Sequence, residues 1–290
     1  MKTEERLEAA LQRTLAEDAL GATPPRLAES VRYAVFPGGA RVRPRLCLAI
    51  AKACSNDDPQ LAVATAVAVE LLHCASLVHD DMPCFDGSPL RRGKPSVHVA
   101  HGQALALLTG DALIVHAFHS LAVAASAKPA RLAAIIRVIG SGVGMPGGIV
   151  AGQAWECEPQ VPLQAYQRAK TGGLFRAATM GGAAAAGADP EPWRQLGELI
   201  GEAYQVADDL LDTNGDPEVM GKPAGRDAAL GKPNAVGERG QRETMGLLRR
   251  LVAAAEQSIP PCPGEGPLRE LIAAEAEHFV HLALNCRAAA

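Results

Sequence analysis

The sequence predicts an all-α fold, and three observations carry that prediction. Aromatic residues, which are enriched in strands, make up only 3% of the 290-residue chain, while the strong helix formers Ala and Leu dominate it. Pro- and Gly-rich breaks divide the chain into stretches of roughly 15 to 30 residues, longer than ordinary strands and typical of a helical bundle. Apolar residues form 48% of the whole, enough to bury a large core as one domain or two. No low-complexity linker separates two halves and no repeat recurs at a fixed period, so a single domain over 1–290 is expected and a solenoid is not.

The elements follow in chain order. Residues 1–19 carry Glu4, Glu5, Glu8, Glu17 and Asp18 among apolar positions, a pattern that suits an amphipathic helix and not a signal-peptide core. Breaks at Thr23-Pro24-Pro25, Phe36-Pro37-Gly38-Gly39 and Ser55 to Pro59 bound the next two helical stretches. The windows Leu61 to His79 and Ala104 to Ala125 approach the length of a membrane span. Glu70 and His73 interrupt the first, and Asp111, His116 and His119 the second, so buried bundle helices are the better account and no transmembrane segment is expected. The polar run Asp86 to Pro95 separates the two. Gly142-Val143-Gly144-Met145-Pro146-Gly147 matches the glycine pattern of a dinucleotide loop, but long Ala/Leu segments surround it where that fold needs alternating strands and helices. These glycines read as a helix-to-helix turn. Ala177 to Ala188 is dense in small residues, which permit close helix packing, and breaks at Pro159, Asp189-Pro190, Gly215 to Pro233 and Pro260 to Pro267 delimit the remaining helices.

A formal net charge of −4 lacks the basic excess of a nucleic-acid binder, so no nucleic-acid partner is expected and any cationic site must be local. The seven cysteines are odd in number, scattered and without a CxxC pair. They suggest neither a disulfide framework nor structural zinc, and fit a reducing cytoplasm.

Two acidic clusters stand out. Asp80, Asp81 and Asp86 lie at the C-terminal end of the first apolar window, where like charges repel one another and oppose the helix dipole. Pro83 disfavours further helix at Met82, so Asp80 and Asp81 should finish the helix and Asp86 should lie in the following turn, letting all three converge. Asp208, Asp209 and Asp212 line one stripe about 6 Å long on a later helix. Two carboxylate clusters that could face each other suit Mg²⁺, a hard cation commonly held by one or two carboxylates plus substrate phosphates. A matching set of cations is present. Arg41 and Arg43 follow Gly38-Gly39, Arg91, Arg92 and Lys94 follow Asp86, and Lys170, Lys222, Arg226 and Lys232 fall in other breaks; paired guanidiniums beside glycines suit bidentate phosphate contacts.

The stretch LLHCASLVHDDMPCFDGSPLRRGKPSVH, with PGGARVRP, GQAWE, KTGGLF, YQVADDLLDTNGD and GKPAGRDAALGKP, resembles the trans-isoprenyl diphosphate synthase family from about Tyr33 to Pro233. The likeness is greatest to the bacterial geranylgeranyl diphosphate synthases of carotenoid and bacteriochlorophyll pathways. It implies an isoprenoid-synthase helical bundle around a deep central cavity, a homodimer, and a Mg²⁺-dependent prenyltransferase that condenses isopentenyl diphosphate with dimethylallyl, geranyl or farnesyl diphosphate. By resemblance, Asp80, Asp81, Asp86, Asp208, Asp209 and Asp212 hold Mg²⁺ on the allylic diphosphate. Arg91, Lys170 and Lys222 contact that diphosphate, and Gln205 and Thr171 line the reacting end. Arg43, His73 and Arg92, with Arg41 beside them, bind isopentenyl diphosphate, and Lys232 closes over the site. Lys170-Thr171-Gly172-Gly173 inside a helical stretch suggests a kink.

Two departures from the family pattern matter. Ala40 stands where the family commonly has Lys, and Gly87-Ser88-Pro89 replaces further acidic residues. They keep a non-catalytic subunit of a heteromeric synthase as the rival expectation, against which the intact Asp clusters argue. Product length rests on Ala75, which lies about 7.5 Å deeper along the helix than Asp80. In the family a bulky residue there forms a floor that stops growth at fifteen carbons. Ala75, between Cys74 and Ser76, forms none, so geranylgeranyl diphosphate is expected, with farnesyl diphosphate as the alternative if another side chain such as Phe118 closes the path.

Overall fold

The computed structural model describes residues 3–17, 23–36, 38–214 and 235–285. The described regular structure is helical apart from one two-stranded hairpin. It divides into two compact units, one comprising Met1–Gly140 with Ala177–Pro190, the other Ser141–Arg176 with Glu191–Ala290.

The first unit contains α1 (Thr3–Glu17), α2 (Pro25–Val35), α3 (Val42–Ala53), α4 (Pro59–Asp80), the hairpin β1 (Leu90–Arg91) and β2 (Lys94–Pro95), α5 (Val97–His101), α6 (Gln103–Ala124) and most of α7 (Pro129–Val143). Its centre is α4, which buries residues on every side, among them Leu61, Val67, Leu71, Leu72, Cys74, Ala75 and Val78. Asp58 starts this helix by accepting a 3.0 Å hydrogen bond from the Leu61 N–H, and Pro59 occupies the first turn, where its missing N–H costs nothing. The long helix α6 packs along α4, and a buried 2.6 Å hydrogen bond between the Ser30 and Thr109 hydroxyls joins α2 to α6. By length and composition α4 and α6 could each cross a membrane. In their most apolar windows 72% of α4 is buried and 33% of α6.

The second unit holds the end of α7, then α8 (Ile149–Ala154) with a 3₁₀ turn at Trp155–Cys157, α9 (Leu163–Gln167), a π-helical segment at Arg168–Gly172, α11 (Arg194–Asn214), α12 (Ala235–Arg239), α13 (Gln241–Gln257) and α14 (Glu265–Asn285). Between α9 and α11 the helix α10 (Gly173–Ala186) begins in this unit and ends in the first. Ala203, Val206, Ala207 and Leu210 of α11 pack on Leu248 and Leu251 of α13. The Gly142–Gly147 motif ends α7 and leads into α8 through a turn. The small residues of α10 have a steric reason, since a methyl group at Gly182 would strike the backbone carbonyl of Cys47 in α3. At two of the three points where the units divide, α7 and α10 run unbroken from one unit to the other, and the third falls at the Asp189-Pro190 break.

Candidate active site

Helix α4 ends at Asp80 with Asp81 as its C-cap, and the chain then turns on itself. Met82 N–H donates to the His79 carbonyl at 3.0 Å, Gly87 N–H to the Met82 carbonyl at 3.0 Å, and Asp86 N–H to the Asp80 carbonyl at 3.0 Å. That last bond returns Asp86 beside Asp80, with carboxylate oxygens of the two half-buried side chains within 4.8 Å of each other. The pair offers hard oxygen donors at a separation one divalent cation can bridge, which fits Mg²⁺. The His79 ring lies on Gly110 of α6, where no Cβ intrudes, with Nε2 3.3 Å from the Leu107 carbonyl, and so seats this end of α4.

Asp81 does not converge with the other two. Its buried carboxylate turns to Arg91, whose Nε lies 3.1 Å from both oxygens, while Arg91 Nη2 lies 3.7 Å from Asp80. Burial raises the Asp81 carboxyl above the usual aspartate value, against the opposing pull of Arg91. Burial also disfavours the Arg91 charge, but Asp81, Asp80 and Asp86 outweigh it and hold the guanidinium more firmly protonated.

Arg91 stands on β1 opposite Lys94 of β2, and the two residues between them form the hairpin turn with φ of 54° at Arg92 and 75° at Gly93. Positive φ at both central positions defines a type I′ turn, which favours Asn-Gly. An arginine at the first position is strained by about 1–2 kcal/mol. Its guanidinium lies against Gly39, where an added Cβ would sit 2.9 Å from Arg92 Cζ. His73, half-buried on α4, has its proton affinity lowered well below the usual histidine value, by burial first and then by the charges of Arg43, Arg92, Arg91 and Arg41. Arg43, at the start of α3, His73 and Arg92 thus form one cationic patch around a neutral imidazole.

Arg41 is not open to a ligand. It lies immediately before α3 in left-handed backbone, φ 51°, with its side chain 5% exposed. Nε donates to Glu8 at 2.8 Å, Nη1 to buried Glu70 at 2.6 Å and Nη2 to the Val35 carbonyl at 2.9 Å. The substrate contact expected for Arg41 is therefore replaced by an internal ion pair. Gly38 makes room for it, since a Cβ there would overlap the Arg41 guanidinium.

In the second unit the irregularity expected at Lys170-Thr171-Gly172 is a five-residue π-helical segment, a feature frequent at functional sites. Close backbone approach on either side permits it. A Cβ at Gly152 of α8 would overlap the backbone of Lys170, and one at Gly201 of α11 would lie 2.7 Å from Gly172 Cα. Thr171 Oγ1 donates to Gln205 Oε1 at 2.7 Å, and Gln205 Nε2 donates to Asp209 Oδ1 at 2.9 Å. Three expected site residues are thereby linked, with Asp209 buried and Asp208 exposed. Lys170 donates to Glu156 at 2.6 Å, and Tyr166 and Gln153 donate to the same carboxylate at 2.6 and 2.9 Å. The sequence gives Glu156 no role beyond its place in GQAWE; its spacing from Lys170 across a break hides the pairing. Asp212 lies on α11 with its side chain outside those described, and Lys222 and Lys232 lie outside the described residues.

An all-helical chain with two acidic helix segments and a cationic patch beside one of them is the pattern of a prenyl-transferring synthase. The Polyprenyl synthetase family matches residues 24–255, and the chain belongs to that family. It is accordingly a prenyltransferase. It is similar to the geranylgeranyl diphosphate synthase of Cereibacter sphaeroides, with 52% identity over 280 residues and 97% of each chain covered. Among solved structures it resembles an FPP/GFPP synthase from Zymomonas mobilis, with TM-score 0.80, 30% identity and 95% of this chain and 96% of that one covered. It also resembles a geranyltransferase from Helicobacter pylori complexed with magnesium and isoprenyl diphosphate, with TM-score 0.77, 25% identity, and 96% and 97% covered.

Proposed function

We propose that this prenyltransferase condenses isopentenyl diphosphate with dimethylallyl, geranyl and farnesyl diphosphates and releases geranylgeranyl diphosphate. The observation that carries the chain length is the small, buried Ala75 on α4, five residues before Asp80, with Cys74 and Ser76 beside it. The name and 52% identity of the Cereibacter sphaeroides relative support the same product. Asp80 and Asp86, with Asp208 and Asp209, would hold Mg²⁺, which when bound neutralises the leaving allylic diphosphate as its carbon–oxygen bond breaks. Arg43, neutral His73 and Arg92 bind the diphosphate of isopentenyl diphosphate, and Lys170 with Thr171 and Gln205 attends the allylic end.

The enzyme acts in the cytoplasm as a homodimer in this reading. The six described cysteines are free thiols, which suits a reducing compartment. Leu107, Leu108, Val115 and Val123 of α6 are 49%, 50%, 67% and 62% exposed, an apolar stripe for a second copy to cover. A monomer by light scattering at micromolar concentration would refute the assembly.

The test of the activity is a radiolabelled isopentenyl diphosphate assay on the pure homomer with Mg²⁺ and each allylic diphosphate, followed by chromatography of the dephosphorylated products. Geranylgeraniol is expected, and Ala75→Phe should shorten the main product by about one isoprene unit. Farnesol from the unmodified enzyme, or no shortening in the variant, would remove Ala75 as the ruler. Failure to condense without a partner protein would establish the heteromeric alternative.

A further inference from the structure

Lys94 is the member of the basic run whose role the substrate scheme leaves open. Its Nζ donates to the carbonyl of Tyr33 at 2.6 Å and to that of Phe36 at 2.8 Å, and it sits 4.0 Å from the centroid of the Tyr33 ring. These carbonyls close α2, where a helix leaves acceptors unsatisfied and presents the negative end of its dipole. Tyr33 returns a bond, its hydroxyl donating to the Pro95 carbonyl at 2.7 Å. The last turn of α2 and strand β2 are thus tied in both directions.

Those ties join the two halves of the seat that Arg92 occupies. One half is its own type I′ turn, two residues before Lys94; the other is Gly39, three residues beyond Phe36. Each strand is two residues long, too short to hold a hairpin by itself, and a cavity of about 30 Å³ lined by Cys74, Leu77, Val78 and Arg91 lies at the hairpin. Arg91 on Asp81 fastens the hairpin to α4, and Val97, which follows it, packs with Val78 and Ala106 and against Tyr33 and Ala34 of α2, so the Lys94 bonds add a polar clamp to an apolar contact at the same end of α2. The arrangement also works against the lysine charge, since burial and then Arg92 lower its proton affinity. A lysine serving solubility alone would turn to water.

We infer that Lys94 is a positioning residue for isopentenyl diphosphate: by clamping β2 to the end of α2 it holds the Arg92 guanidinium against Gly39 and so sets the affinity for that diphosphate without touching it. The inference rests on the substrate reading above, and wild-type condensation is measured first, so that failure of that reading shows before any variant is made.

Lys94→Met keeps the length of the side chain and removes the ammonium. It should raise KM for isopentenyl diphosphate roughly tenfold while kcat and KM for the allylic diphosphate stay within about twofold. Calorimetric titration with isopentenyl diphosphate alone, which cannot react without an allylic partner, should show the same loss of affinity. Lys94→Arg should recover most of it. Because the effect runs through Arg92, adding Lys94→Met to Arg92→Gln should cost no further affinity. Additive losses in the double variant, an unchanged KM, or equal falls in every kinetic constant would overturn the inference. Should Lys94→Met fail to fold, Tyr33→Phe, which breaks only the return bond, should still raise KM for isopentenyl diphosphate selectively.

Discussion

Arg41 and Arg92 begin from the same chemistry and end in opposite places. Both are arginines in left-handed backbone, with φ of 51° and 54°, and each guanidinium rests on one of two consecutive glycines, Gly38 and Gly39. Arg41 turns inward, to Glu70, Glu8 and the Val35 carbonyl. Arg92 is exposed and forms no ion pair among the described residues. The acids of the same unit divide likewise, Asp81 being held by Arg91 while Asp80 and Asp86 lie together at the end of α4. Within one basic and acidic cluster, then, some charges are buried in internal pairs, and the proposed function assigns others to the ligand. The test that separates them is whether removal is felt in stability or in catalysis.

The largest effect is expected among the ligand-directed charges. Asp80→Ala should lower kcat on the order of 10²- to 10³-fold, because charge stabilisation of the departing diphosphate is lost. Its thermal midpoint should stay within a few degrees of wild type, since relieving like-charge repulsion seldom destabilises. An unfolded Asp80→Ala protein would show that Asp80 holds the scaffold as Arg41 does.

On the inward side, Glu70→Ala leaves the Arg41 guanidinium buried without its closest partner and should destabilise the fold by about 3 kcal/mol in a denaturant titration. Arg41→Ala should behave in the same way, and the protein that remains folded should keep its KM for isopentenyl diphosphate. A raised KM with undiminished stability would return Arg41 to the substrate site.

Gly38 and Gly39 should respond differently to the same substitution. In Gly38→Ala the new methyl group meets a guanidinium pinned by three partners, so stability should fall by about 1–3 kcal/mol. In Gly39→Ala it meets Arg92, which can swing away. Stability should then hold while KM for isopentenyl diphosphate rises roughly tenfold, about 1.4 kcal/mol of binding. Steady-state kinetics and thermal unfolding on the same two preparations distinguish these outcomes.

The smallest effect concerns His73. Its proton affinity is lowered in the folded protein, while the unfolded chain protonates near pH 6.5. Below that pH the unfolded state takes up the extra proton, so this residue's contribution is fully present above pH 6.5 and declines as pH falls toward the lower folded value. Denaturation midpoints measured at pH 7.5 and 5.5 should differ less in His73→Gln than in wild type. An identical pH dependence would mean that neither burial nor the surrounding arginines lower the proton affinity of this ring.

Sequence alone determined what local rules govern. Pro and Gly delimit helices through fixed φ and absent side chains, which made α2, α3 and α4 legible, and Pro83 required a turn after Asp81 that brings Asp86 back to Asp80. The helix irregularity at Lys170 to Gly172 was legible for a similar reason, glycines within a helical run. Which charges are used internally depends on long-range packing. Arg41 and Arg43 look alike along the chain, and nothing local says that Glu70, on another helix, faces the first of them. The same holds for Asp81 with Arg91, for Lys170 with Glu156 and for Lys94 with the end of α2. The physical reason is common to all four. Helix and turn formation depend on neighbours within a few residues, whereas the burial and pairing of a charge depend on which distant element packs against it, and only the folded chain fixes that.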